Sequence, residues 1–200
     1  MVHECSPVIK ETGLSSDNYF TAMVEGKKIR IPVRRLSEQK TFFAICFALD
    51  SDEIEISTGA ALALGKLKDK RALPFLLKSF LTTNLKQAQA VAWALGELKD
   101  TRALPFLIEA LDADFISQSV IVALGKIGSL QALETFFRLL DERDEKQRAL
   151  IVKAIGQLSF EHEHALKREA VTRLMKCLEK EKSRAVRLTI CVTSARLEKF

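Results

Sequence analysis

The 200-residue sequence predicts an all-α solenoid of about five stacked two-helix repeats, preceded by a short β-hairpin or an irregular cap. Three observations carry this. A segment recurs almost verbatim at an offset of 31 residues, apolar residues inside each copy are spaced by threes and fours, and glycine and proline hold fixed places in the copies.

Residues 1–37 lie outside the repeat. In NYFTAMVEGKKIRIPVRR, apolar residues alternate loosely before Glu25-Gly26 (Phe20, Ala22, Val24) and after it (Ile29, Ile31, Val33), which predicts two short strands and a turn over the open apolar end of repeat one. Pro32 has no amide proton for a ladder and confines its strand to an edge. An irregular arm is the alternative. The division expected is therefore 1–37 as an extension or cap and 38–200 as the repeat domain.

Repeat one begins with RLSEQKTFFAICFALD. The clearest copies follow: ALALGKLKDKRALPFLLKSFL at 61–81 and AWALGELKDTRALPFLIEAL at 92–111, then VALGKIGSLQALETFFRLL from 122 and KAIGQLSF from 153. Glycine marks the second helix of each unit at Gly65, Gly96, Gly125 and Gly156. Because apolar Leu67 and Leu98 continue the helical pattern past it, this glycine reads as a place where the next helix packs closely, more than as a helix stop. Within RALPFLIEALDAD, Ala103, Leu104, Leu107, Ile108 and Leu111 form one face of a helix, and NLKQAQAVAWALGEL behaves the same way. Pro74 and Pro105 fall near helix starts, where a missing amide proton costs little. The fifth copy, KREAVTRLMKCLEKEKSRAVRLTICVTSARLEKF, follows an inserted SFEHEHAL and carries Ala195 in the glycine's place. Such departure is expected of a capping unit. One helix pair cannot bury its own apolar face, so the units must stack.

The consensus A-x-A-L-G-x-L-x-D-x-R-A-L-P-F-L resembles the HEAT-like repeat found in phycobilin lyase subunits, over about 160 residues. The resemblance implies a right-handed α-α superhelix whose second helices line the concave face. It also implies a family containing chromophore-attachment proteins, assembly factors and binding scaffolds, so the activity does not follow from the fold.

Composition narrows the classes. No window of about 18 apolar residues predicts a membrane span, and the first residues lack a basic stretch leading into an apolar one. Cys5, Cys46, Cys177 and Cys191 include no C-x-x-C pair, so a reduced, cytoplasmic protein is expected. Charge is uneven: −3 over residues 1–25, +5 over 26–40, −1 over 41–160 and +4 over 161–200. Basic ends permit nucleic-acid binding through Lys27, Lys28, Arg30, Arg34 and Arg35 at one and Lys167, Arg168, Arg173, Lys180, Lys182, Arg184 and Arg187 at the other. A continuous basic stripe along one face would be the stronger sign.

No constellation demands catalysis, a metal or a cofactor. His162-Glu163-His164 is the most enzyme-like stretch, yet histidines two apart point to different sides of a helix and the run begins an inserted loop. Cys46, Cys177 and Cys191 read as small core residues, while Cys5 has only His3 within local reach. Asp69-x-Arg71 and Asp100-x-Arg102 recur at one turn and read as links between units.

The binding surface expected is therefore the outward stripe of the second helices. Counting from each glycine, positions nine, five, two and one before it and two after face the core, which leaves positions ten, seven, six and three before and one after as the opposite stripe. The opposite stripe holds Leu62, Trp93, Val122 and Lys153 three before; Thr58, Gln89, Gln118 and Ala149 seven before; Glu55, Lys86, Phe115 and Lys146 ten before; and Lys66, Glu97, Lys126 and Gln157 one after. An apolar centre with a mixed, slightly basic rim suits a protein partner, and Trp93 has the character of a binding hot spot. A Trp half-buried between adjacent second helices is the competing reading. The functions expected are a noncatalytic scaffold or assembly module, or a lyase-type subunit or chaperone for a chromophore-bearing protein.

Overall fold

A computed structural model describes the backbone of residues 9–14, 19–24, 27–32, 39–80, 84–112 and 117–198, and the side chains of 41–80, 84–111 and 117–198. The chain divides into two units, Met1–Leu98 and Lys99–Phe200. The first contains α1 (Gln39–Ala48), α2 (Ile54–Leu67), α3 (Leu73–Phe80) and α4 (Leu85–Leu98). The second contains α5 (Leu104–Glu109), α6 (Ser117–Ile127), α7 (Leu133–Glu142), α8 (Glu145–Ile155), α9 (His164–Lys180) and α10 (Arg184–Glu198). Each odd-numbered helix packs on the even-numbered helix that follows it. Second helices also pack on one another, α2 on α4 in the first unit and α6 on α8 on α10 in the second. Within each unit, helix pairs stacked in chain order are the packing of a helical solenoid.

The two-strand hairpin expected around Glu25-Gly26 is not supported in that form. The backbone there is assigned to three antiparallel strands in the order β1 (Ile9–Leu14), β2 (Tyr19–Val24) and β3 (Lys27–Pro32). β1 carries a register shift between Ile9 and Thr12, which breaks the alternation that would mark it as a strand. The capping of repeat one rests on side chains outside the described residues.

The turn between the helices of successive pairs has one chemistry. Asp69 accepts from the Arg71 amide at 2.9 Å and Asp100 from the Arg102 amide at 3.0 Å, each also gripping its arginine's guanidinium. In the next copy Ser129 accepts from the Gln131 amide, so the cap survives where the ion pair is lost. The preceding residue is left-handed each time: Lys68 at φ 56°, Lys99 at φ 50° and Gly128 at φ 75°. Pro74 and Pro105 occupy the second positions of α3 and α5.

The glycines of the second helices are close-packing positions. A Cβ at Gly65 would stand 2.6 Å from Cζ3 of Trp93 and 2.8 Å from Cα of Ala94, and one at Gly125 would stand 2.9 Å from Cβ of Ala154. Removing the side chain lets the α2 backbone approach α4, and the α6 backbone approach α8. Around these contacts Phe42, Ile56, Leu64, Leu76, Val91 and Leu95 form the first unit's core. Leu104, Leu107, Val120, Phe136, Ile151, Leu174 and Ile190 belong to the second unit's core. Two buried glutamines tie second helices to earlier elements. Gln87 donates to the Leu49 carbonyl and to Ser79 Oγ at 2.8 Å each, and Gln147 donates to Ser117 Oγ at 2.8 Å. Neither leaves its buried amide nitrogen without an acceptor.

Candidate functional site

The expected stripe falls on α2 and α4 in the first unit and on α6 and α8 in the second, except that position six before the glycine is buried at Gly59 and Ala90, where the neighbouring second helix packs. Leu62, Trp93 and Val122 are half-buried and Lys153 is exposed; Lys66, Lys86, Gln89 and Gln118 are exposed, and Lys126 is half-buried. Phe115 lies outside the described residues. The positions assigned to the core, such as Ile56, Ala60, Ala63 and Leu64 on α2, are buried, except that two after the glycine Leu67 and Ile127 are half-buried. On α4 the Trp93 ring lies against Gly65 of α2, where the missing Cβ leaves a slot shared by the ring edge and Ala94. Its remaining surface faces outward between exposed Gln89 and half-buried Glu97, which meets Lys68 at 3.5 Å.

The turn chemistry, the close-packed glycines and the stacked helix pairs describe one repeat architecture, and the comparison with known families agrees. Residues 81–155 match the family model described as HEAT repeats, and residues 58–82 match that described as PBS lyase HEAT-like repeat. The chain carries HEAT-like repeats. A search of curated proteins finds none that matches it.

The other candidates within these HEAT-like repeats are placed as follows. Asp69 and Arg71 serve the turn, and Arg71 also lies over the Phe42 ring at 4.7 Å, which ties the second repeat to the first. Its carboxylate partner is held below the usual range by the Arg71 hydrogen bonds. Cys46 is buried, and burial, with Asp69 nearby, pushes its thiol up to about 12, which removes the thiolate needed for nucleophilic chemistry. Cys177 is half-buried and raised for the same main reason. Cys5 and His3 lie outside the described residues. His162, Glu163 and His164 are all exposed, His162 in a left-handed turn and His164 as the first residue of α9. Among the described residues no group of three His, Cys, Asp or Glu side chains is placed to hold a metal ion, and no helix is long and apolar enough to cross a membrane.

The carboxy-terminal basic cluster is partly committed to structure. Arg173 stacks on the Phe137 ring at 3.9 Å and pairs with Glu134, and Arg187 donates to the Leu178 and Glu181 carbonyls. Arg168, Lys180, Lys182 and Arg184 are exposed. Arg148, on α8, grips Glu181 with two nitrogens at 2.8 and 3.0 Å beside a cavity of about 440 Å³.

Cys191 corrects the sequence reading, since it is exposed and not a core residue. Its equivalents four residues before each glycine, Ala61, Ala92, Ile121 and Val152, are buried on helices that pack on another second helix. With Ala195 in the glycine's place the register continues onto α10 and puts Leu188 and Val192 at the seven-before and three-before positions; they are 65% and 61% exposed. Ala195 in place of glycine hides this register in the sequence.

Proposed function

We propose that the chain is a noncatalytic protein-binding scaffold or assembly module, in which residues 38–200 form about five repeats of a right-handed superhelix and residues 1–37 an extension. In this reading the second helices line the concave face, and the stripe on α2, α4, α6 and α8 grips the partner. One observation carries it. The same register that buries one side of every second helix leaves the other side with half-buried Leu62, Trp93 and Val122 among exposed Lys66, Lys86, Gln89, Gln118 and Lys153. Half-buried large apolar side chains recur at one position of successive second helices, and an apolar centre with a polar rim is the composition of a binding patch.

The test is capture of a partner from native extract by the wild-type chain, by Trp93→Ala and by the double reversal Lys66→Glu with Lys86→Glu. Both variants should lose the same partner while their helical content stays that of the wild type. Undiminished capture by the double reversal would overturn the stripe as the site. A collapse in melting temperature for Trp93→Ala alone would assign that ring to packing against Gly65.

A second reading is favoured by the match of residues 58–82 to the PBS lyase HEAT-like repeat. There the guest is a bilin chromophore or the protein that accepts it, and purified chain mixed with bilin should show a shifted visible absorbance. Nucleic-acid binding is the weaker alternative. Because Arg173 and Arg187 are engaged within the fold, a salt-insensitive affinity for duplex or single strands would end it.

A further inference from the structure

We infer that the cavity between α7, α9 and α10 binds a small molecule through a phosphate monoester group, at a site apart from the stripe proposed above, none of whose described residues lines it. Its volume of about 440 Å³ lies within the range of about 300–1,000 Å³ usual for small-molecule sites. The floor is apolar but already covered. Phe137 and Leu140 of α7 and Val186 and Ile190 of α10 line it, and all four are buried. A guest therefore meets chiefly the charged wall.

That wall specifies the guest. Five cationic side chains line the cavity against two carboxylates, Asp141 and Glu181. Two of the five are engaged within the fold. Arg148 gives Nε and Nη2 to Glu181 and Nη1 to the Arg143 carbonyl, while Arg173 pairs with Glu134 and stacks on the Phe137 ring. The first of these pairs also neutralises Glu181, so its carboxylate does not repel an anion. Lys176, Lys180 and Lys182 remain, all exposed and none in an ion pair among the described residues. Lys176 and Lys180 stand one turn apart on α9, where like charges repel until an anion lies between them. A cleft lined by one sign of charge over a low-dielectric floor concentrates counter-ions. Three lysines less Asp141 leave an excess of two positive charges, which matches the charge of about −1.5 to −2 on a phosphate monoester. Ammonium groups on flexible stems are donors suited to its oxygens, and the volume beyond the lysines admits the body of the molecule.

Titration of the full chain, followed by amide chemical shifts in nuclear magnetic resonance, tests this. Inorganic phosphate at constant ionic strength should move amides near Lys176, Lys180 and Lys182 and leave those of α2 and α4 in place. Ribose 5-phosphate or adenosine monophosphate should bind at least about threefold tighter than inorganic phosphate, and ribose and adenosine should not bind. Lys176→Gln with Lys180→Gln should weaken phosphate binding at least about tenfold with unchanged helical content, since both side chains are exposed. Lys70→Gln with Lys99→Gln removes the same charge from exposed positions outside the cavity and should stay within about twofold of the wild type. Shifts spread over many lysines, or equal loss in the two double variants, would show non-specific attraction and overturn the proposal. It would equally fall if neither ester bound tighter than inorganic phosphate, which is the behaviour of an adventitious ion only. A phosphoserine peptide that binds here where both small esters fail would replace the small molecule with a protein partner.

Discussion

Lys99 adopts a left-handed conformation, φ 50°, at a turn where the equivalent residue one repeat later is Gly128 at φ 75°. A side chain in that region clashes with its own backbone at a cost of about 1–2 kcal/mol, part of which glycine gives back as unfolded-state freedom. Lys99→Gly is therefore expected to stabilise the chain by roughly 0.5–1 kcal/mol, read as a higher denaturant midpoint at unchanged slope. The opposite substitution at the close-packing glycine should fail. At Gly65 an added Cβ would meet Trp93 at 2.6 Å and the Ala94 backbone at 2.8 Å, and backbone cannot move aside as a side-chain tip can. Gly65→Ala should cost about 1–3 kcal/mol, and a melting temperature equal to the wild type would show that α2 and α4 do not approach this closely. The role of Gly65 was legible because the apolar pattern runs past it. The left-handed lysines were not, since lysine at such a site breaks the usual glycine or asparagine signature.

At the level of elements, the turn from α9 to α10 is held by Glu181, whose side chain is 9% exposed and grips Arg148 of α8. Glu181 also accepts from the Ser183 amide at 2.8 Å, while Ser183 Oγ donates to Glu145. The hydrogen bonds from Arg148 are the main reason that its carboxyl lies below the ordinary glutamate value, with burial opposing them. A carboxyl depressed in the folded state stabilises that state above its unfolded pKa and stops doing so as pH falls through its folded pKa. Glu181→Gln should thus cost about 1–3 kcal/mol near neutrality, and the gap from the wild type should close on acidification below pH about 4.5. A gap that is constant with pH would show that the pair contributes through shape alone. Helices of the repeats were legible from spacing, whereas β1 was not, because its register shift and Gly13 hide the alternation. The ion pair between Arg148 and Glu181 was equally hidden. Its partners are 33 residues apart, in a repeat where the inserted segment has displaced the usual turn.

Over the whole molecule the glycine register located the packed side of the second helices, apart from position six before the glycine, where Gly59 and Ala90 are buried, because one backbone geometry is copied along the chain. It stopped at Ala195 because a Cβ there removed the marker, and with it went Leu188 and Val192, which the register would otherwise have placed at outward positions. The same copying predicts where the chain opens first. Nine of the fourteen residues of α4 are buried, against only Ala170 and Leu174 among the seventeen of α9. Local opening costs little where few apolar contacts are lost, and stability in a solenoid is a sum of repeat and nearest-neighbour terms. Amides of α9 should therefore exchange with deuterium well before those of α4 in the intact chain. Because α10 packs directly on α9, its exchange should follow that of α9. Equal protection in α9 and α4 would mean that the chain opens as one cooperative block, and that the sparse burial of the last pair is offset by interactions beyond nearest neighbours.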